Sequence, residues 1–145
     1  MGEIPLILFL DIDGVLNNAV DACEFSPYNM TNIKILINLL STKFDAVKIV
    51  LSSDWRRSPI NLAKARAELH HIGIEIFDTT PITHTDRRSE IRSWLNQECF
   101  DKAIILDDLD SEFVDPQMDE VLFFQTDFRL GLTETDIDEI VANYP

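Results

Sequence analysis

Two groups of aspartates, each at the end of an apolar run, carry the first chemical signal in this chain. Ile4-Pro5-Leu6-Ile7-Leu8-Phe9-Leu10 runs into Asp11-Ile12-Asp13-Gly14, and Ala103-Ile104-Ile105-Leu106 runs into Asp107-Asp108-Leu109-Asp110. Short, mostly apolar segments of this kind read as parallel strands buried on both faces, and ligands of such sheets bind beyond the strands' carboxyl ends. Carboxylates crowded there repel one another unless a cation or a proton lies between them, so the pattern calls for a hard divalent metal with oxygen ligands. Gly14 allows the sharp turn that keeps Asp11 and Asp13 at the strand's mouth. A calcium loop would need a ligand at its fifth position and a Glu at its twelfth, where Val15 and Ala22 stand.

Hydroxyls and cations stand at neighbouring boundaries. The apolar run Val47 to Leu51 stops at Ser52-Ser53-Asp54-Trp55-Arg56-Arg57. A hydroxyl there, Ser52 first and Ser53 second, could donate to a phosphoryl oxygen, whose charge a carboxylate could not stabilise. Arg87-Arg88 opens a helical pattern, where cations oppose the helix dipole, so these residues need another reason to be there. Five of the seven arginines fall in the two stretches 56–57 and 87–92. That concentration fits capture of one phosphate, with Arg56 a phosphate ligand and Trp55 a packing residue.

These segments closely resemble the motifs of the haloacid dehalogenase-like (HAD) superfamily of phosphatases and phosphotransferases. Asp11-Ile12-Asp13-Gly14 matches the first motif, Ser52 the second, Arg87-Arg88-Ser89-Glu90-Ile91 the third and Asp107-Asp108 the fourth. Arg88 departs from the usual Gly of the third. The carboxyl-terminal run, with Gln125-Thr126-Asp127 and Gly131-Leu132-Thr133, is similar to a capless subgroup found as phosphatase-like domains in bacterial and phage nucleic-acid repair proteins. The resemblance implies Asp11 as nucleophile, Asp13 as acid and base, and Ser52 and Arg87 as phosphoryl ligands. It also implies Mg²⁺ held by Asp11, the Asp13 carbonyl and Asp107 or Asp108, with Gly14, Ser53, Arg56 and Arg88 placed toward phosphate or substrate.

The elements that must position these groups are legible from period and punctuation. Ser26-Pro27 and Ser58-Pro59 are N-cap and first-turn signatures, followed by apolar residues at helical spacing to about Thr42 and to Gly73. Ile74 to Phe77 reads as a third strand, and Arg87 onward as a helix burying Ile91, Trp94, Leu95 and Cys99. Val121 to Phe124 reads as the fifth strand, and Thr133 caps a last helix. Asn17 to Phe25 lacks a period and reads as a loop or small flap. Strands alternating with helices predict a three-layer, Rossmann-like α/β fold with a five-stranded parallel sheet. The first strand should lie between the second and fourth, the order that gathers all four motifs at one mouth. Each interval between motifs has room for one crossover helix and no cap, so the site should be open.

At 145 residues the chain reads as a single domain, 1–145. No apolar run approaches a membrane span, and Met1-Gly2-Glu3 lacks the basic start of a signal peptide, which together point to a cytoplasmic protein without membrane partners. Cys23 and Cys99 lack metal or redox spacing and read as small apolar fillers. The net charge of −14 argues against a general polyanion-binding surface. A phosphorylated nucleic-acid end is therefore one expected substrate against which the charge counts. An open site would suit such a large substrate, with Arg56 and Arg88 reaching its remote parts. A receiver-like module, with Asp78 as phosphoacceptor, is the competing class, but Gln125-Thr126-Asp127 offers no Lys after the fifth strand. An idle phosphate-binding module is the third.

Overall fold

The computed structural model describes residues 5–145, so the reading of Met1 to Glu3 and of Ile4 lies outside the described residues. Five strands alternate with five helices: β1 Leu6–Leu10, α1 Pro27–Ser41, β2 Val47–Leu51, α2 Pro59–His71, β3 Ile76–Thr79, α3 Arg87–Asn96, β4 Lys102–Asp107, α4 Ser111–Val114, β5 Val121–Gln125 and α5 Glu134–Val141. All neighbours are parallel, in the order β3-β2-β1-β4-β5. The chain winds outward from β1 to β3, then crosses back to β4 on the other side of β1. The reversal leaves a crevice between the carboxyl ends of β1 and β4, where such sheets bind ligands.

Alternation along each strand divides the core in two. Leu6, Leu8 and Leu10, with Ile49, Leu51, Ile104 and Leu106, pack against α1, α2 and α5 through Ile33, Leu36, Ala65, Leu69, Ile137 and Ile140. Ile7 and Phe9, with Val50, Ala103 and Ile105, pack on the opposite face against Ile91, Trp94 and Leu95 of α3 and Val114 of α4. Helices therefore cover both faces of the sheet, the three layers expected. Register then sets the level of the site, because Leu10 pairs with both Leu51 and Leu106. Asp11, Ser52 and Asp107 follow those three leucines and stand at one height at the carboxyl edge of the sheet.

Local chemistry accounts for most element ends. Helix α2 closes in a Schellman motif: Gly73 adopts φ +80°, its N–H donates to the His70 carbonyl, and the Ile74 N–H donates to that of Leu69. Ile74 is thereby part of a helix cap, and β3 begins at Ile76, two residues later than the apolar run suggests. Asp86 caps α3 by accepting from Ser89 N–H at 2.8 Å, and Thr133 and Asp136 form a reciprocal capping box on α5. Because α3 stops at Asn96, Cys99 lies beyond it. Both cysteines are exposed free thiols, which corrects their reading as buried fillers. The short α4 was not expected from the sequence. The intervals β1–β2 and β2–β3 hold, besides loops and a 3-10 turn (Asp54–Arg57), one helix each, so no lid is inserted there among the described residues. The 17–25 segment is irregular and is tied down by Glu24 to Lys64 at 2.9 Å and by the Phe25 ring against Trp55. Among the described residues no helix is long and apolar enough to cross a membrane.

Candidate active site

Three carboxylates meet at the crevice. Oxygens of Asp11, Asp107 and Asp108 lie within 4.8 Å of one another, the grouping expected if both strand ends serve one cation. Asp11 and Asp107 are buried and Asp108 is half-buried. Burial, and then the charge of Asp107, push the Asp11 carboxyl well above the ordinary carboxylate range, with Arg87 only partly offsetting them. The same two causes raise Asp108. All three groups are hard oxygen donors without a nitrogen or sulfur among them, so the donor set suits Mg²⁺.

Arg87, in the first turn of α3, is the cation that reaches this group. Its Nη1 donates to Asp107 Oδ2 at 2.7 Å and lies 3.2 Å from Asp11 Oδ2, while Nη2 lies 3.6 Å from Asp54. Burial penalises the guanidinium charge, but Asp11 and Asp107 outweigh that penalty and hold it protonated. This is the other reason that a cation at a helix start required. Arg88 is half-buried, and among the described residues it forms no hydrogen bond or ion pair and lines neither cleft beside the carboxylates.

The second half of Asp11-x-Asp13 is turned elsewhere. Asp13 is exposed and accepts from the Trp55 indole N–H at 3.2 Å and from Asn17 Nδ2 at 2.9 Å. Trp55 therefore packs and also donates to an acidic side chain of the site. Asn17 Oδ1 accepts from the Gly14 N–H, and Thr126 Oγ1 donates to the Gly14 carbonyl. Both main-chain groups of Gly14 are thus engaged within the protein. Gly14 is required for room: at φ +80° an added Cβ would lie 2.8 Å from the Asp108 Cβ. Asn17 and Thr126 carry no signal beyond polar residues near a motif, and only the folded loop reveals them.

Ser52 and Ser53 divide their duties. Ser52 Oγ is buried without a hydrogen-bond partner among the described residues, at the level of Asp11 and Asp107. Ser53 Oγ accepts from Trp55 N–H and caps the 3-10 turn.

Arg56 requires the clearest correction. Its side chain is 1 % exposed, with the guanidinium donating to the carbonyls of Ser52, Ser53, Thr80 and Pro81 and lying 2.8 Å from Glu90 Oε1. Glu90, 2 % exposed, also accepts from Thr83 N–H and from Arg57. The planar fork of Arg56 thus ties the Ser52 loop to the loop after β3 and to α3, which carries Arg87. It faces inward, with its donors engaged by the protein itself.

Asp78, the receiver-like alternative, lies apart from the three carboxylates. Trp94 Nε1 and Thr79 N–H each donate to it at 2.8 Å.

Among protein-family models, one described as the HAD domain in Swiss Army Knife RNA repair proteins matches residues 7–137. Neither the curated proteins nor the solved structures yield a significant match.

Proposed function

The chain belongs to the family of HAD domains of Swiss Army Knife RNA repair proteins, and from that premise we propose that it is a Mg²⁺-dependent phosphomonoesterase acting on phosphorylated nucleic-acid ends. The observation that carries this reading is the meeting of Asp11, Asp107 and Asp108 under a guanidinium that touches two of them.

Asp11 is the nucleophile. One of its oxygens forms a bond to phosphorus as the ester oxygen leaves, giving an aspartyl phosphate; water then attacks phosphorus, releases inorganic phosphate and restores the carboxylate. Asp13, tethered by Trp55 and Asn17 away from the three carboxylates, protonates the departing oxygen and later takes a proton from the attacking water. Ser52 Oγ, otherwise without a partner among the described residues, donates to a phosphoryl oxygen. Arg87 bridges the nucleophile and the phosphoryl group. Mg²⁺ would be held by Asp11, the Asp13 carbonyl and Asp108, and when bound it offsets the charge that keeps a carboxylate from approaching a phosphate. Asp107 is the less suited of its pair for direct ligation, because its oxygens already accept from Arg87 and from Leu109 N–H.

Phosphate release from RNA and DNA ends, nucleotides, phosphopeptides and an aryl phosphate, each with Mg²⁺ and with excess chelator, tests the reading. Release from nucleic-acid ends only with metal is expected. Undiminished release under chelation, or none from any ester with Mg²⁺, would overturn it.

A further inference from the structure

Arg87 lines a cleft of about 570 Å³, and the same side chain touches Asp11 and Asp107. Whatever fills this cleft sits directly beside the phosphoryl position. Its lining is mixed: Asp54, Arg57, Asp86 and Glu90 are charged, whereas Leu109 and Phe113 are apolar and 38 % and 51 % exposed. Leu109 is tied to the carboxylate group, because its N–H donates to Asp107 Oδ1 at 3.0 Å.

The cations of the cleft are already used. Arg57 is paired with Asp54 and Glu90, and Arg87 with Asp11 and Asp107. Asp54, with a side chain 69 % exposed, and exposed Asp86 remain at the solvent side. Nothing here attracts a second phosphate, but a flat, uncharged ring would find an apolar face, and the volume is that of a small-ligand pocket.

We infer that this cleft receives the terminal nucleoside of the substrate, with the base stacked on Phe113; the inference rests on the phosphoesterase reading above. Recognition is then by ring stacking next to one phosphate, in keeping with a chain whose net charge is −14. A second cleft beside Asp108 also bears an exposed aromatic, Phe128. Its guanidinium, Arg129, is bound by Asp127 at 2.7 and 3.1 Å, and it contains Asp108 and Asp127 but no cation that touches the carboxylate group.

The test is equilibrium binding with Mg²⁺, in an Asp11→Asn background that stops turnover, of adenosine 3′- and 5′-monophosphate and of glycerol phosphate, which has no ring. Phe113→Ala should reduce the preference for an adenosine monophosphate over glycerol phosphate by about 5- to 150-fold, the range of base–aromatic stacking. Phe113→Trp should restore it, which a folding defect would not allow, and Phe128→Ala should leave the preference as it was. An unchanged preference in Phe113→Ala, its loss in Phe128→Ala, or tighter binding of a phosphotyrosine peptide than of either nucleotide would overturn the assignment. Phe113-dependent nucleotide binding without phosphate release by the unsubstituted chain would count against the phosphoesterase reading and leave the cleft standing.

Discussion

Arg56 and Arg87 look alike in the sequence, each an arginine paired with a second and read as a phosphate ligand, yet one is a strut and the other reaches the carboxylates. The difference is decided by packing: four carbonyls and Glu90 surround Arg56, and no periodicity or spacing foretells that two loops will present them together. Truncating one partner of a buried ion pair leaves the other charge uncompensated, so Arg56→Ala should cost about 3–5 kcal/mol in urea denaturation. A loss below about 1 kcal/mol would show that Glu90 finds another partner. Tyr144 makes a second, pH-dependent case. Burial, helped by the charge of Glu120, raises its phenol from 10.0 to about 12, and its hydroxyl has no hydrogen-bond partner among the described residues. The raised pKa means that the neutral form is favoured in the fold. Its contribution is present in full below pH 10, the unfolded value, and is lost as pH rises toward about 12. Tyr144→Phe, which keeps the ring against Phe44, should gain stability relative to the unsubstituted chain as pH rises through that window. Parallel stability curves across the window would contradict this.

At the scale of elements, the sheet was legible because buried parallel strands are written as continuous apolar runs, and β2 falls where its run does, Val47–Leu51. The misplaced start of β3 has a definite cause, since an apolar residue after Gly73 serves a Schellman cap as readily as a strand. The tight turn after β1 was expected from Gly14, but the neighbour that forbids a side chain there was not, because Asp108 arrives from a strand about ninety residues away. Gly14→Ala should therefore do more than strain a positive φ, typically about 1–3 kcal/mol. It should displace Asp108 and weaken Mg²⁺ binding, read by metal titration of the folded variant. Unaltered affinity would mean that Asp108 is not a ligand.

For the whole molecule, the acidic composition and the site make the same demand. A chain of charge −14 that buries two carboxylates beside a third is under electrostatic stress that a divalent cation relieves. Mg²⁺ at a hundredfold excess over its Kd should add about 2.7 kcal/mol, a rise in Tm on the order of 10 °C. Asp108→Asn should raise the Tm of the chelated protein at neutral pH and abolish the rise on adding Mg²⁺; a lower Tm in chelator would show that Asp108 stabilises the fold by other means. The proposed catalysis turns on transfer of the phosphoryl group to Asp11. The direct measurement is to quench the protein in acid during turnover of a phosphorylated oligonucleotide with Mg²⁺ and to map the modification by peptide mass spectrometry. One phosphoryl group on Asp11, absent in Asp11→Asn and without metal, is the predicted result; steady turnover with Asp11 unmodified, or turnover by Asp11→Asn, would contradict it.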